Sequence, residues 1–402
     1  MSASVDPRLL NPRVAPKRTM RLSWSDPKFR SILVQVAIIG LLLGFVGYLV
    51  HNTMQNLEIQ HIATGFGYLN RQAGIPIAES LISYNPAVNT YGRAIFVGLL
   101  NTLKVAVLGI VLSTILGTLI GIGRLSRNWL IAKTTAVYVE AIRDIPVLLQ
   151  LLLWYTLMQT LPQPRQSFHL GDIAYLSNRG LKLPILVWQD AHWWTLAAFV
   201  VGVIGTFAWN RRALKIRDET GEKPAIWPAA LGLCVAFPVL IWGALGAPLE
   251  IELPKLTGFN FVGGGTISPE YFSLELGLVL YTAAYIAEIV RSGIQAVPQG
   301  QWEAAGALGL RQGQILREIV LPQAMRVIIP PMTSQYLNIT KNSSLAVAIG
   351  YQDLVSISQT VLNQTGQAIE GVGIFMAVYL SISLSISLFM NWYNARIALT
   401  ER

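Results

Sequence analysis

The chain has 402 residues, of which 53% are hydrophobic and only 13% charged, and its mean hydropathy is +0.49. That much apolar material with so little charge does not cover a soluble surface, which excludes an ordinary soluble domain and points to a membrane protein. The net charge of +9 does not gather on a soluble module, so a nucleic-acid partner is not indicated. The basic residues alternate with apolar runs instead, which makes them a signal of topology.

A helix that crosses a bilayer needs about 20 apolar residues and satisfies its own backbone hydrogen bonds, so an all-α integral membrane protein is expected. Eight apolar segments stand out, at about 31–50, 94–122, 136–160, 194–209, 226–247, 272–290, 333–351 and 372–392. A Pro- and Arg-rich stretch, residues 1–30, precedes the first and reads as a disordered basic tail. No small-residue cleavage site follows Val50, so 31–50 reads as a retained anchor. Residues 161–270 read as an outer segment with Asn178-Arg179-Gly180, two spans around a basic inner turn, and a Gly263-Gly264-Gly265 loop. The alternation of apolar and polar residues that marks a membrane β-barrel is missing. Cys234 is the single cysteine, which rules out an intrachain disulfide, and the four histidines share no ligand spacing, so no metal site is expected. Trp129, Trp188, Trp193, Trp194, Trp209, Trp227 and Trp392 lie near span ends, where indoles anchor at the interface.

With the N-terminus placed in the cytoplasm, the segments assigned to that side carry 21 Lys and Arg residues and the opposite ones 5. Both termini then face the cytoplasm, as an even number of spans requires, and so does the stretch between 291 and 326. That stretch holds Gln301-Trp302-Glu303-Ala304-Ala305-Gly306-Ala307-Leu308-Gly309-Leu310, and then Ile319-Val320-Leu321-Pro322. Ala304, Ala305 and Leu308 are spaced to share one face of a short helix, and Gly309 supplies a left-handed exit. Ile315, Leu316, Ile319 and Val320 line one side of a second helix, which Pro322 is expected to end because it lacks the N–H to continue the ladder.

This spacing of Glu-Ala-Ala, Gly and Ile-x-Leu-Pro resembles the signature cytoplasmic loop of ATP-binding-cassette (ABC) importer permeases. Ala284-Tyr285-Ile286-Ala287-Glu288-Ile289-Val290-Arg291 is similar to the polar-amino-acid branch, and the long first span with Leu176-Ser177-Asn178-Arg179-Gly180 to the larger permease subunits of bacterial general L-amino-acid transport systems. The resemblance covers about 90–160 and 271–397, and leaves 161–270 as an insertion with two extra transmembrane helices. It implies five helices forming a type I ABC importer permease core out of about eight, with a coupling loop over 295–326 that docks on a separate ATPase. Where the family carries Arg-Gly-Thr-Pro, this chain has Arg143-Asp144-Ile145-Pro146, so close backbone approach at that turn is not assured.

Among the residues of the loop, Glu303, Ala304, Ala305, Gly309, Leu310 and Pro322 are the candidates for ATPase coupling. Glu303 serves either a charge-assisted contact with the ATPase or the dipole of its own helix, and the two roles are compatible. Lys341, followed by Asn342, Ser343 and Ser344, is a charge inside an apolar span. It either lines the translocation path, offering a zwitterion's carboxylate a charge and donors, or pairs and snorkels structurally. The family has an acid where Asn342 stands, which weakens a direct cation-binding role. Thr102 either bonds backbone or lines the path, and Lys104 beside it is read as snorkelling outward. Thr282 and Tyr285 share a helix face with Glu288 and either reach the path or pack. Glu288 and Arg291 are spaced as an internal ion pair.

No phosphate-binding glycine motif and no catalytic constellation is present, so the chain itself is not expected to be an enzyme or to hold a cofactor. ATP and magnesium belong to the implied partner ATPase. The other implied partners are a second related permease, a periplasmic amino-acid-binding protein and the lipid bilayer of the bacterial inner membrane. The competing account is an ion-gradient-driven secondary transporter or channel. It calls for inverted repeats with broken helices and buried mid-membrane carboxylates, none of which the sequence displays.

Overall fold

The computed structural model describes Trp24 and residues 27–60, 64–171, 173–221 and 224–397. Most of the basic tail over 1–30 lies outside the described residues. The chain forms two compact units, Met1–Phe66 with Thr365–Glu370, and Gly67–Gln364 with Gly371–Arg402. The first is dominated by one helix, α1 (Pro27–Ile59), whose apolar side chains are exposed on all sides, as on a span surrounded by lipid.

In the second unit the elements run α2 (Tyr91–Arg124), α3 (Trp129–Asp144), α4 (Val147–Gln159), four short strands β1–β4 between Phe168 and Leu186, and α5 (Asp190–Thr220). A helix with a π turn in its middle follows, α6 (Trp227–Leu231) continuing through Gly232–Ala236 into α7 (Phe237–Ala244), then strands β5–β8 between Ile251 and Ile267, and α8 (Pro269–Gln295). The chain continues through α9 (Gln299–Ala307), α10 (Gln312–Gln314), α11 (Leu321–Asn342), a 3₁₀ turn over Ser343–Ile349 and α12 (Leu354–Thr365). The final helix is α13 (Ala368–Ile397). The strands make a four-stranded antiparallel sheet in the order β1 (Phe168–Leu170), β2 (Ala174–Ser177), β3 (Gly180–Leu183) and β8 (Gly265–Ile267), and two antiparallel pairs, β4 (Ile185–Leu186) with β5 (Ile251–Glu252) and β6 (Lys255–Thr257) with β7 (Asn260–Val262). Their few residues lie between helices, where no long alternation announces them in the sequence.

Among the described residues, six helices are long and apolar enough to cross a membrane, and a seventh span is made by Gln312–Ile349 with Leu354–Thr365, bent by 52°. The sequence suggests about eight. The difference lies in 136–160, which is divided at Asp144-Ile145-Pro146 into pieces of 16 and 13 residues. At 1.5 Å per residue each falls short of the roughly 30 Å hydrocarbon core. Pro146 cannot donate, and the carbonyls freed at the break are taken by the buried Gln150, whose Nε2 donates to the carbonyls of Ile142 (2.8 Å) and Ile145 (2.9 Å). The turn thus holds without the glycine of the family pattern.

The contact between α2 and α8 is the tightest in the core. Gly109, Ser113, Gly117 and Gly121 recur every four residues along α2, and a Cβ at Gly117 would sit 2.6 Å from the Ile286 Cβ and 2.8 Å from the Ala283 carbonyl. At Gly121 it would meet the Ala287 carbonyl at 2.7 Å. Small residues here allow backbone to approach backbone.

Pro322 does not end its helix. Residues 312–342 continue through it, and Ile315–Val320 immediately before it form a π turn. The wider turn absorbs the missing N–H of the proline, so the helix goes on. Gly232–Ala236 does the same ahead of Pro238.

Gly117→Val is expected to lower the thermal unfolding midpoint of the detergent-purified protein, since overpacking costs about 1–3 kcal/mol. Gly373→Ala, where a Cβ meets nothing within 4 Å, is expected not to lower it.

Candidate functional site

Two groups of residues stand apart from the apolar packing, the 299–320 knuckle and the segment around Lys341. In the knuckle, α9 ends in a backbone-only lock. Gly309 adopts φ +75°, its N–H donates to the Gly306 carbonyl (3.0 Å), and the N–H of Leu310 donates to the Ala305 carbonyl (3.3 Å). These two bonds form a Schellman motif, which satisfies the last carbonyls of the helix and sets the direction of exit. The Arg311 N–H then donates to Gln314 Oε1 (3.0 Å), which closes the entry to the next turn.

The underside of the knuckle is apolar. Ala305, Ile315 and Val320 are buried with Val297, Ala324 and Ile328, and Trp302, Leu310 and Ile319 pack against them. Ala304 and Leu308, four residues apart, are both exposed, Leu308 at 79%, whereas Ala305 turns inward at 2%. Leu316 also turns outward, away from Ile315 and Val320. The projecting surface therefore carries Glu303, Ala304, Leu308, Arg311 and Arg317, all exposed. Since α9 begins at Gln299, Glu303 lies in the second turn and no acid occupies the first. Stabilisation of the helix dipole is thus a poor account of Glu303, which instead accepts a hydrogen bond from Gln299 Nε2 (3.0 Å) on the surface.

Lys341 lies in the last turn of α11 with its side chain exposed. The hydroxyls after it are partly committed: Ser343 Oγ donates to the Thr340 carbonyl and Ser344 Oγ to the Lys341 carbonyl, both at 2.7 Å. Ser343 is fully buried, whereas Asn342 and Ser344 are half-buried. Thr102 belongs elsewhere. It has no exposure, and its Oγ1 accepts the N–H of Leu354 (3.1 Å) at the start of α12, so it takes the backbone role of the two open to it. Thr282 is buried. Tyr285 is half-buried, accepts from Tyr281 Oη (3.2 Å) and lies under the guanidinium of Arg143 (5.1 Å to the ring centre).

Residues 230–399 match the family described as binding-protein-dependent transport system inner membrane component. The general L-amino acid transport system permease protein AapQ of Rhizobium johnstonii is 50% identical over 386 residues, 96% of each chain. The chain belongs to the permeases of amino-acid ABC transporters. The putative amino-acid ABC transporter permease protein YhdX of Escherichia coli is 49% identical over 95% of this chain and 97% of its own. The glutamate/glutamine/aspartate/asparagine transport system permease protein BztB of Rhodobacter capsulatus is 42% identical over 96% and 98%. The protein is accordingly a multi-pass transmembrane subunit with a type I permease fold.

Several charged groups of the permease find partners that spacing within one helix does not reveal. Glu288 and Arg291 pair at 2.5 Å as spaced, but Arg124 at the end of α2 joins the same carboxylate. Lys104 does not snorkel freely: its Nζ lies 3.0 Å from Glu79 Oε2 and 3.7 Å from the centre of the Tyr271 ring. Two carboxylates missed in the sequence are buried, Glu275 in α8 and Asp353. Neither oxygen of Glu275 has a hydrogen-bond partner among the described residues. Asp353 accepts from the Ser356 N–H (2.8 Å) and from Tyr379 Oη (3.3 Å). Both had a signal: an acid inside the apolar run around Leu274, and an Asp-x-x-Ser start following Gly350.

Thr102→Val is expected to lower the melting temperature of the purified permease and Thr102→Ser to preserve it, because a buried N–H left without an acceptor costs about 1–3 kcal/mol. If Thr102 only caps α12, complexes that do assemble with valine there keep the parent KM for uptake.

Proposed function

We propose that this permease forms one half of the pore of an ATP-driven importer that carries L-amino acids of broad range across the bacterial inner membrane by alternating access. The name of the Rhizobium relative and the acidic and amide substrates in the name of the Rhodobacter one support this substrate class. The asymmetry of basic residues supports placing both termini and the 299–320 knuckle in the cytoplasm. One observation carries the proposal: a knuckle with a buried apolar underside, a backbone-locked corner at Gly309 and a polar surface from which a single large apolar side chain, Leu308, projects on the first helix. An exposed leucine on a surface that also carries the exposed Glu303, Arg311 and Arg317 suits a protein cleft that takes an apolar anchor and charges together.

An ATPase dimer, holding ATP and magnesium, grips one knuckle from each of two permeases, and its closure moves them as rigid bodies. Glu303, Ala304 and Leu310 belong to this handle with Ala305 and Gly309, while Pro322 stands in the first turn of α11, where the handle joins it. The second half of the pore is a related permease, and a periplasmic amino-acid-binding protein delivers substrate from the other side. Lys341, with Asn342 and Ser344 beside it, lines the path. Its ammonium is exposed, has no ion-pair partner among the described residues, and suits the carboxylate that all amino acids share. Tyr285 is a second lining candidate, whereas Thr102, Thr282 and Ser343 support the wall from within.

The deciding experiment is co-purification with the ATPase followed by uptake of radiolabelled amino acids in liposomes. Transport should vanish when the ATPase is disabled, and uptake by the permease alone under an ion gradient would overturn the proposal. Gly309→Val is expected to assemble but to lose substrate stimulation of ATP hydrolysis, because a β-branched residue at φ +75° redirects the second helix. Lys341→Met is expected to raise the KM for uptake at least tenfold for acidic and neutral substrates alike. Unchanged kinetics in an assembled complex would remove Lys341 from the path.

A further inference from the structure

Residues 75–80, ahead of α2, form a strap held in two different ways. Its root is apolar: Tyr68, Ala73 and Ile75 are buried against Tyr91, Ala94, Leu354 and Ile357. Its tip is held by polar contacts. Glu79 pairs with Lys104 of α2 (3.0 Å), its other carboxylate oxygen accepts the Ser268 N–H at the start of α8 (2.9 Å), and its carbonyl accepts from Asn101 Nδ2 (3.0 Å). Gln352 clasps the same tip, accepting from the Ala78 N–H and donating to the Pro76 carbonyl, both at 2.7 Å. Asn101 also donates to the Gln352 carbonyl (2.9 Å).

The strap therefore ties together three elements: α2, about three turns in from its start at Tyr91, the start of α8, and the loop that enters α12. Cavities of about 420 and 630 Å³ flank it and share Ala78, Glu79, Asn101 and Ser268 in their walls. The loop that carries Gln352 is the far end of the 3₁₀ turn that begins beside Lys341 and Asn342. Seven residues at about 2.0 Å each place the strap roughly 14 Å along that turn from the proposed path. The ion pair is mostly buried, with 23% of the Lys104 side chain and 17% of the Glu79 side chain exposed. Both residues nevertheless line the larger cavity, where water can take over their hydrogen bonds as they part. The apolar root has no such exchange, so the tip can lift while the root stays seated.

We propose that residues 76–80 are the outer gate of the translocation path, latched by Glu79 and Lys104, and that each transport cycle must break this latch. This rests on the reading above of Lys341 as part of the path and of this end of the bundle as external. Separating Asn101 and Lys104 of α2 from the strap and from the starts of α8 and α12 opens the route between the two cavities, and re-forming the pair closes it.

The test places a Glu79→Cys/Lys104→Cys pair in a Cys234→Ala background, assembled with its ATPase and partner permease in liposomes, and joins the thiols with a short bifunctional thiosulfonate. Joining is expected to lower uptake at least tenfold, and reduction to restore it in the same preparation. Uptake untouched by a cross-link verified by mass, or thiols that never join, overturns the gate. A second arm covers the case in which the cysteine pair fails to assemble. Glu79→Lys or Lys104→Glu alone should each lose at least tenfold in uptake, and the two reversals together should recover it; no recovery overturns the latch. The parent complex is assayed alongside. Absent uptake there counts against the amino-acid reading, and parent uptake that tethering leaves alone counts against the gate.

Discussion

The close approach of α2 and α8 is the constraint on which the rest of the bundle depends. With no hydrophobic drive between helices in lipid, association rests on packing and hydrogen bonds, and packing is best where side chains are smallest. The four-residue recurrence of Gly109, Ser113, Gly117 and Gly121 lets α2 lie against Ala283, Ile286, Ala287 and Val290 with no room for one added carbon. The ends of the seam are pinned by charge, Arg124 and Glu288 at one and Lys104 with the strap at the other. α3, α4 and α11 then pack onto α8, for instance through Tyr138 Oη, which donates to the Leu280 carbonyl (2.7 Å).

Around this rigid seam the regular helix is interrupted at a few places, and each replaces the hydrogen bonds it removes. At Pro146 a buried glutamine supplies the donors. At Pro322 and Pro238 a π turn precedes the proline. At the break after α11 the 3₁₀ turn and Gly350 lead to Asp353, which caps the next helix. In hydrocarbon an unsatisfied backbone group costs several kcal/mol, so the positions of these substitutes fix where the regular ladder gives way, and the two proposed working regions lie at such places.

Much of this was legible in the amino-acid sequence. Long apolar runs announce spans because lipid demands them, and Gly309 announces a left-handed turn because few other residues adopt one. The Glu288–Arg291 pair follows from helical spacing alone. What escaped was of two kinds. Contacts between residues distant in sequence, such as Glu79 with Lys104 or Thr102 with Leu354, leave no local pattern. Pro322 was misjudged because a proline stops a regular ladder, yet the chain widened the preceding turn instead. Ala305 parts from Ala304 and Leu308 because one step along a helix turns the side chain by about 100°, which carries it from the outer face to the core.

The corner of the knuckle is held by main-chain bonds from Gly309 and Leu310, and its outward side chains take no part in them. Shape and surface chemistry are therefore separable: the lever keeps its stiffness whatever occupies positions 303, 304 and 308, and those letters are free to be rewritten for a different engine.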